Sequence, residues 1–258
     1  MIASLQTPIV VAIFLLAMGF ENAAKGLILS IQKFNVSKAS IPAIMIVVNL
    51  VSMIFGPLYI WSLLASTDCQ QSALVSKITL HVFVISFSFF LLFKAWVVSQ
   101  KRSWVAVIGF LLISNRCVWA VLDCLWSYSR EVPGGCLYLQ DKAAIIGIST
   151  GGILVDVFAT STTIVSAFRD VDEDSSNKLQ RVYRVLIADN VIRSLLVLAA
   201  NAFTLNYSMV GTLNIASGAG GSPTILLIIP AISNYVYTMA TNLEFFWIDV
   251  RKDIMQKS

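Results

Sequence analysis

The fold class that this sequence predicts is an all-α membrane protein, one domain over residues 1–258 built as a bundle of seven transmembrane helices. Three observations predict it. The chain is 57% hydrophobic and 12% charged, with a mean hydropathy of +0.81, far from the balance of a soluble globular domain. Its apolar residues gather into seven stretches, each close to the roughly 20 residues that one helical crossing needs. The links between them are short and, together with the tail, hold most of the Lys and Arg, which leaves no room for a soluble domain.

The stretches lie at 6–30, 40–65, 74–99, 103–127, 143–168, 181–206 and 223–248. The first is interrupted by Glu21 and Lys25, while the second carries no charge between Lys38 and Asp68. A charge-free run from Ser194 to Leu243 is too long for one helix, and Gly218, Gly220, Gly221 and Pro223 mark its turn. The first stretch has no basic lead-in and no convincing cleavage site, so it reads as a retained span and not as a removed signal peptide.

Orientation follows from the basic residues. Lys33, Lys38, Lys101, Arg102, Arg169, Lys178, Arg181, Arg184, Arg251, Lys252 and Lys257 fall on one side, against Lys77, Arg130 and Lys142 on the other. The positive-inside rule then puts the N-terminus outside and the C-terminus in the cytosol of a plasma or other secretory-pathway membrane. The net charge of +4 is modest and spread over these links, which bears on orientation and not on nucleic acid.

This topology places Cys69 and Cys136 on the same, oxidising side, where a disulfide would tie the fourth link to the start of the third span. Two free thiols are the alternative. Cys117 and Cys124, inside the fourth span, read as apolar packing residues. With one histidine and no Cys-x-x-Cys pair, neither a metal site nor a cofactor is expected. Asn35-Val36-Ser37 and Asn206-Tyr207-Ser208 are glycosylation triplets of a kind common by chance, the first on the cytosolic side and the second beside the membrane.

Ionisable residues inside the spans carry the functional interest, because an unpaired charge at mid-bilayer costs several kcal/mol. The sixth span, within Arg181–Tyr207, divides cleanly at 100° per residue. Asp189, Asn190, Arg193, Ser194 and Asn201 share one sector, and Val191, Ile192, Leu195 and Leu198 oppose them. Asp189 and Arg193 are i,i+4, as are Glu21 and Lys25, so both are expected to form ion pairs along their helices. Lys94 and Glu244 lie near the cytosolic ends, where snorkelling explains them. Asp156 sits at the centre of the fifth span, either paired with Arg193 or facing a cavity. Arg116 and Asp123 lie two turns apart on one face, suited to bracketing something, and His81 is either a ligand contact or a hydrogen-bonded interior residue. Asn234, Thr238 and Thr241 form a polar strip below Pro230, Gly147 and Gly151 allow a close helix contact, and Tyr235, Tyr237 and Phe245 read as interfacial anchors.

No phosphate-binding loop, dinucleotide fingerprint, serine-hydrolase elbow or His-Glu-x-x-His occurs, and no nucleophile stands beside a base, so no enzyme is expected. The seventh span has no lysine for a retinal Schiff base.

Seven spans, an outside N-terminus, the Cys69 and Cys136 placement and basic cytosolic links together resemble the layout of G-protein-coupled receptors over the whole chain. Where many of these carry Asp-Arg-Tyr, this chain has Ala95-Trp-Val-Val-Ser-Gln-Lys-Arg102; where they carry Asn-Pro-x-x-Tyr, it has Asn234-Tyr-Val-Tyr237. The resemblance implies a small-molecule or peptide ligand among His81, Arg116, Asp123, Asp156, Arg193 and Asn201. It also implies a cytosolic signalling partner reading Lys101 and Arg102 after the third span and Arg169, Arg181 and Arg184 at the cytosolic ends of the fifth and sixth. Two other readings stand beside it: an ion- or proton-coupled transporter or channel using Asp156, Asp189 and Arg193, and an assembly subunit whose charges pair with another membrane protein.

Overall fold

A computed structural model describes residues 2–64, 69–132, 135–173, 177–216 and 224–256, with side chains for 7–64, 69–129, 136, 140–169, 185, 187–206 and 227–247. Seven long helices follow in order: α1 (Ile2–Ser37), α2 (Ser40–Leu64), α3 (Cys69–Val98), α4 (Ser103–Trp126), α5 (Lys142–Glu173), α6 (Asn177–Ala216) and α7 (Thr224–Gln256). Each expected stretch lies within one helix apart from a residue or two at its ends. Lys38, Gln100 and Lys101 adopt positive φ, the left-handed conformation that ends α1 and α3 and turns the chain back. At 40 residues α6 is about 60 Å long, twice the thickness of a bilayer core.

By length and composition α1 to α6 are each able to cross a membrane, and their outward faces carry residues such as Phe14, Phe110, Val121, Leu154 and Leu195. The described part of α7 is less apolar, because Ser233, Asn234, Thr238, Thr241 and Glu244 are turned inward and buried. Successive helices pack side by side, and α1 also packs on α7, which closes the ring. Helix α3 is the most enclosed, touching α2, α4, α5 and α7. The main core runs from Met45 and Val48 through Phe83, Phe87 and Phe90 to Val155, Val197, Tyr237 and Ala240. A second core joins Leu16, Phe55, Leu227 and Ala231 of α1, α2 and α7.

The fold is all-helical, as expected, apart from one link. The link after α4 forms an antiparallel hairpin, β1 (Tyr128–Val132) and β2 (Gly135–Leu139), with Tyr128 opposite Leu139 and Val132 opposite Gly135. Pro133 and Gly134, residue types common in turns, separate the two strands in sequence and lie outside the described residues. Ser127 and Asp141 staple its base: the Asp141 N–H donates to Ser127 Oγ at 2.9 Å, and Asp141 Oδ1 caps α5 by accepting from the Ala143 N–H at 2.9 Å.

Cys69 and Cys136 form the disulfide, which joins the first residue of α3 to β2 with a Cα separation of 5.5 Å. It closes a loop between residues 67 apart in sequence, so Cys69→Ser is expected to lower stability by about 2–4 kcal/mol. Peptide mapping without reduction should recover the two cysteines in one linked species. Cys117 is exposed on the outward face of α4 and Cys124 is half-buried, so the packing role expected for Cys117 does not hold. A packed helix turns only one side inward, and the position of Cys117 falls on the other.

Gly147 of α5 holds the closest helix contact, since a Cβ there would run into the Trp119 ring of α4. Gly147→Val is expected to cost about 1–3 kcal/mol through overpacking. At Gly56 of α2 no atom lies within 4 Å of an added Cβ, so Gly56→Ala should be neutral or mildly stabilising; thermal unfolding of the two variants beside the unaltered chain checks both.

Candidate functional site

The periodicity of α6 sets the site. Asp189, Asn190, Arg193, Val197 and Asn201 are buried along one side, while Val191, Ile192, Leu195 and Leu198 are exposed on the other, as the sequence pattern requires. The buried side faces α3, α5 and α7, and it carries polar groups in two layers. A third polar layer lies at the hairpin end of the bundle, between α3 and α4.

At the end of the bundle away from the hairpin, α3, α6 and α7 meet in a cluster that holds four charges among the described residues. Arg193 Nη2 donates to Asp189 Oδ2 at 3.0 Å, the expected i,i+4 pair, and to Asn190 Oδ1 at 2.6 Å. Lys94 Nζ donates to Asp189 Oδ2 at 2.6 Å and also to Glu244, whose Oε2 lies 3.6 Å from Arg193 Nη1. The Arg193 guanidinium stands over the Phe90 ring at 5.8 Å. Two acids balance two bases, and every member is buried. Snorkelling of Lys94 and Glu244 is therefore corrected: both turn inward, because each finds an opposite charge on a neighbouring helix. Asp189 Oδ1 and Arg193 Nη1 are buried without a hydrogen-bond partner, so the cluster keeps unused bonding capacity.

In the middle layer Asp156 of α5 accepts a hydrogen bond from Ser194 Oγ at 2.6 Å and makes no ion pair among the described residues. Of its two alternatives, the pairing with Arg193 does not form, since that guanidinium meets Asp189, Asn190 and Glu244. Arg116 of α4 is 5% exposed, and among the described residues its one hydrogen bond runs from Nη1 to the Ile148 carbonyl at 3.3 Å. It lies against Gly152, where a Cβ would come within 2.6 Å of Nη1. Tyr237 is not an interfacial anchor: it is buried, stacks on Phe87 at 4.7 Å between ring centres, and donates to Asn201 Oδ1 at 2.7 Å. Its ring completes the core against α3, which outweighs the preference of tyrosine for headgroups. Ser88, Arg116, Asn201 and Tyr237 line a cavity of about 10 Å³, just enough for one water molecule.

At the hairpin end Asp123 is fully buried and is the hub. It lies 2.9 Å from His81 Nε2 and 3.2 Å from Lys77 Nζ, and it accepts from Gln140 Nε2 at 3.0 Å and Ser127 Oγ at 2.7 Å. The Lys77 ammonium also donates to the Asp123 carbonyl. His81 and Asp123 are thus brought together, and Arg116 is held apart from them. Lys77 and Gln140 are members that the sequence does not single out; the one available sign is that Lys77 and His81 are i,i+4 and share a face of α3.

The remaining candidates are peripheral. Glu21 and Lys25 pair at 2.6 Å on the exposed side of α1. Lys101 is exposed over Trp96, and Arg102 and Arg169 flank a groove of about 270 Å³ between the ends of α3, α4 and α5. Arg181 and Arg184 belong to α6, but their side chains lie outside the described residues. The polar strip of α7 packs on α2, where Ser52 and Thr238 hydroxyls lie 2.8 Å apart and Asn234 Nδ2 donates to Ser52 Oγ at 2.9 Å.

No protein-family model matches the chain, and no curated protein is significantly similar to it.

Proposed function

We propose that this chain is a seven-helix membrane receptor, N-terminus outside and C-terminus cytosolic, for a small molecule or peptide carrying both a cationic and an anionic group. The observation that carries the reading is the state of Arg116 and Asp156. They are buried, of opposite sign, on the adjacent helices α4 and α5, and neither has an ion partner among the described residues. Buried charges without partners are costly in a membrane and mark functional positions. A ligand carboxylate on Arg116 and a ligand ammonium on Asp156 would satisfy both, with Asn201 and Tyr237 between them as hydrogen-bonding groups. The cavity there holds no more than a water, so ligand entry has to move α5 or α6. Motion of α6 acts directly on the four-charge cluster, which joins it to α3 and α7 beside the basic residues Lys101, Arg102 and Arg169. A cytosolic partner meeting those residues would read the shift.

A second reading has its own observation. Asp156 lies between two polar layers with only a hydroxyl partner, as a proton carrier would. One experiment separates them. Purified protein is screened by thermal shift against amino acids and short peptides at millimolar concentration, and proteoliposomes containing a trapped pH dye are assayed in parallel. The receptor reading expects a saturable stabilisation that Arg116→Gln and Asp156→Asn each abolish, with no proton flux. Flux that disappears in Asp156→Asn would overturn it in favour of the transporter.

A further inference from the structure

Glu21 and Lys25 are the charges in this bundle that no packing accounts for. They form an i,i+4 pair at 2.6 Å, yet their side chains are 67% and 70% exposed on α1, which packs on α2 and α7 through its other faces.

Their depth makes this unusual. Asn242 of α7 donates to the Asn22 carbonyl at 2.9 Å and to Asn49 Oδ1 of α2 at 3.1 Å, and a Cβ on Gly19 would meet Asn234 at 2.7 Å. Glu21 and Lys25 are therefore level with the stretch Asn234–Asn242 of α7 and with Asn49–Ser52 of α2. Asn49 and Ser52 are the tenth and thirteenth residues of α2 (Ser40–Leu64), which is 25 residues long, so this level is close to mid-bilayer. Lys25 has a long stem for snorkelling, but Glu21 does not. A carboxylate on a lipid-facing surface at that depth is costly even beside its own lysine.

The pair also lies on a regular stripe. Val10, Phe14, Ala17, Glu21, Lys25 and Ile28 are all exposed and recur at three- and four-residue spacing, the pattern of a helix–helix seam. Ala17 is small enough to let a second helix approach closely one turn from Glu21.

We infer that this stripe of α1 is a dimer interface, and that its occupant is α1 of a second copy of the chain. In a two-fold dimer within one membrane, the partner presents the same residues at the same depth. Glu21 and Lys25 are offset by about 6 Å along the helix, a distance that both side chains span. Each Glu21 then meets the Lys25 of the other copy, and the four charges close into a neutral ring shielded from lipid. The acid–base pair is complementary to itself, so a second copy covers it without any further charge. The apolar residues Phe14 and Ile28 flank the ring on either side.

Charge reversal across two tagged versions of the full chain tests this. Glu21→Lys leaves two cations on the stripe, and Lys25→Glu leaves two anions. Dimers are read in lipid vesicles by cross-linking through Ala17→Cys, with Cys117 and Cys124 replaced by alanine. The unaltered stripe is expected to cross-link to a species of twice the chain mass. Either reversal alone should reduce that yield at least tenfold, and mixing the two reversed versions should restore it as a heterodimer. Restoration on mixing also shows that each variant folds. A monomeric unaltered chain, a yield indifferent to the reversals, or cross-linking in native membranes to a species of another mass would each overturn the inference. So would failure of the mixed pair to cross-link when both variants keep the thermal stability of the unaltered chain.

Discussion

Asp123→Ala is expected to destabilise the protein by about 3–5 kcal/mol, the usual cost of removing one partner from a buried ion pair. The carboxylate is the single acceptor around which Lys77, His81, Ser127 and Gln140 converge, and it is fully enclosed. Its loss removes the carboxylate that balances the buried Lys77 ammonium, which keeps its hydrogen bond to the Asp123 backbone carbonyl. Two comparisons separate this charge effect from simple truncation. Asp123→Asn keeps the shape and the hydrogen-bonding oxygen, so it should cost less. Adding Lys77→Met to Asp123→Ala removes the stranded cation, and the double variant should be more stable than Asp123→Ala alone. Reversible unfolding in mixed micelles gives the numbers, and equal costs for Asp123→Ala and the double variant would contradict the pairing.

The second large effect is expected at the other end of the bundle. Arg193→Met removes one of the two cations that Asp189 and Glu244 meet among the described residues, in a buried site. A loss of about 3–5 kcal/mol follows from the same reasoning. Asp189→Asn in the same chain restores neutrality, so the double variant should recover part of that loss. Arg193→Lys keeps the charge but not the forked donors that reach Asp189, Asn190 and Glu244, nor the flat contact with Phe90, and should fall between.

The helices and the inward face of α6 are legible in the sequence because both depend on local rules. A crossing needs a run of apolar residues, and a helix with one polar side in a bilayer has to turn that side inward. The Asp189–Arg193 and Glu21–Lys25 pairs are equally local, each one turn of helix. Cys69 and Cys136 are legible once the links are assigned to sides of the membrane. Lys94 and Glu244 are a different case. A charge near a helix end looks the same whether it snorkels or is buried, and what decides is an opposite charge 95 or 150 residues away. Lys77 reads as a link residue only while α3 is thought to begin near residue 74; the helix starts at Cys69 and carries Lys77 two turns inside. The hairpin escapes for another reason. Two five-residue strands in a link carry too little alternation to stand out against the long apolar runs on either side. Tyr237 shows the limit of composition, since the amphipathic ring of a tyrosine suits a headgroup or a core equally well until its neighbours are known.

If the four-charge cluster holds α6 against α3 and α7 until a ligand moves it, weakening the cluster alone should release the helix. Spin labels at Lys101→Cys in the turn after α3 and Val185→Cys on α6, with Cys117 and Cys124 replaced by alanine, report that separation in lipid nanodiscs by pulsed electron paramagnetic resonance. The expected result is one narrow distance in the unaltered cluster and a second, longer distance in Arg193→Met that shrinks again when Asp189→Asn is added. A single unchanged distance in Arg193→Met, in protein shown to be folded, would contradict the proposal that this cluster is the element through which the chain switches.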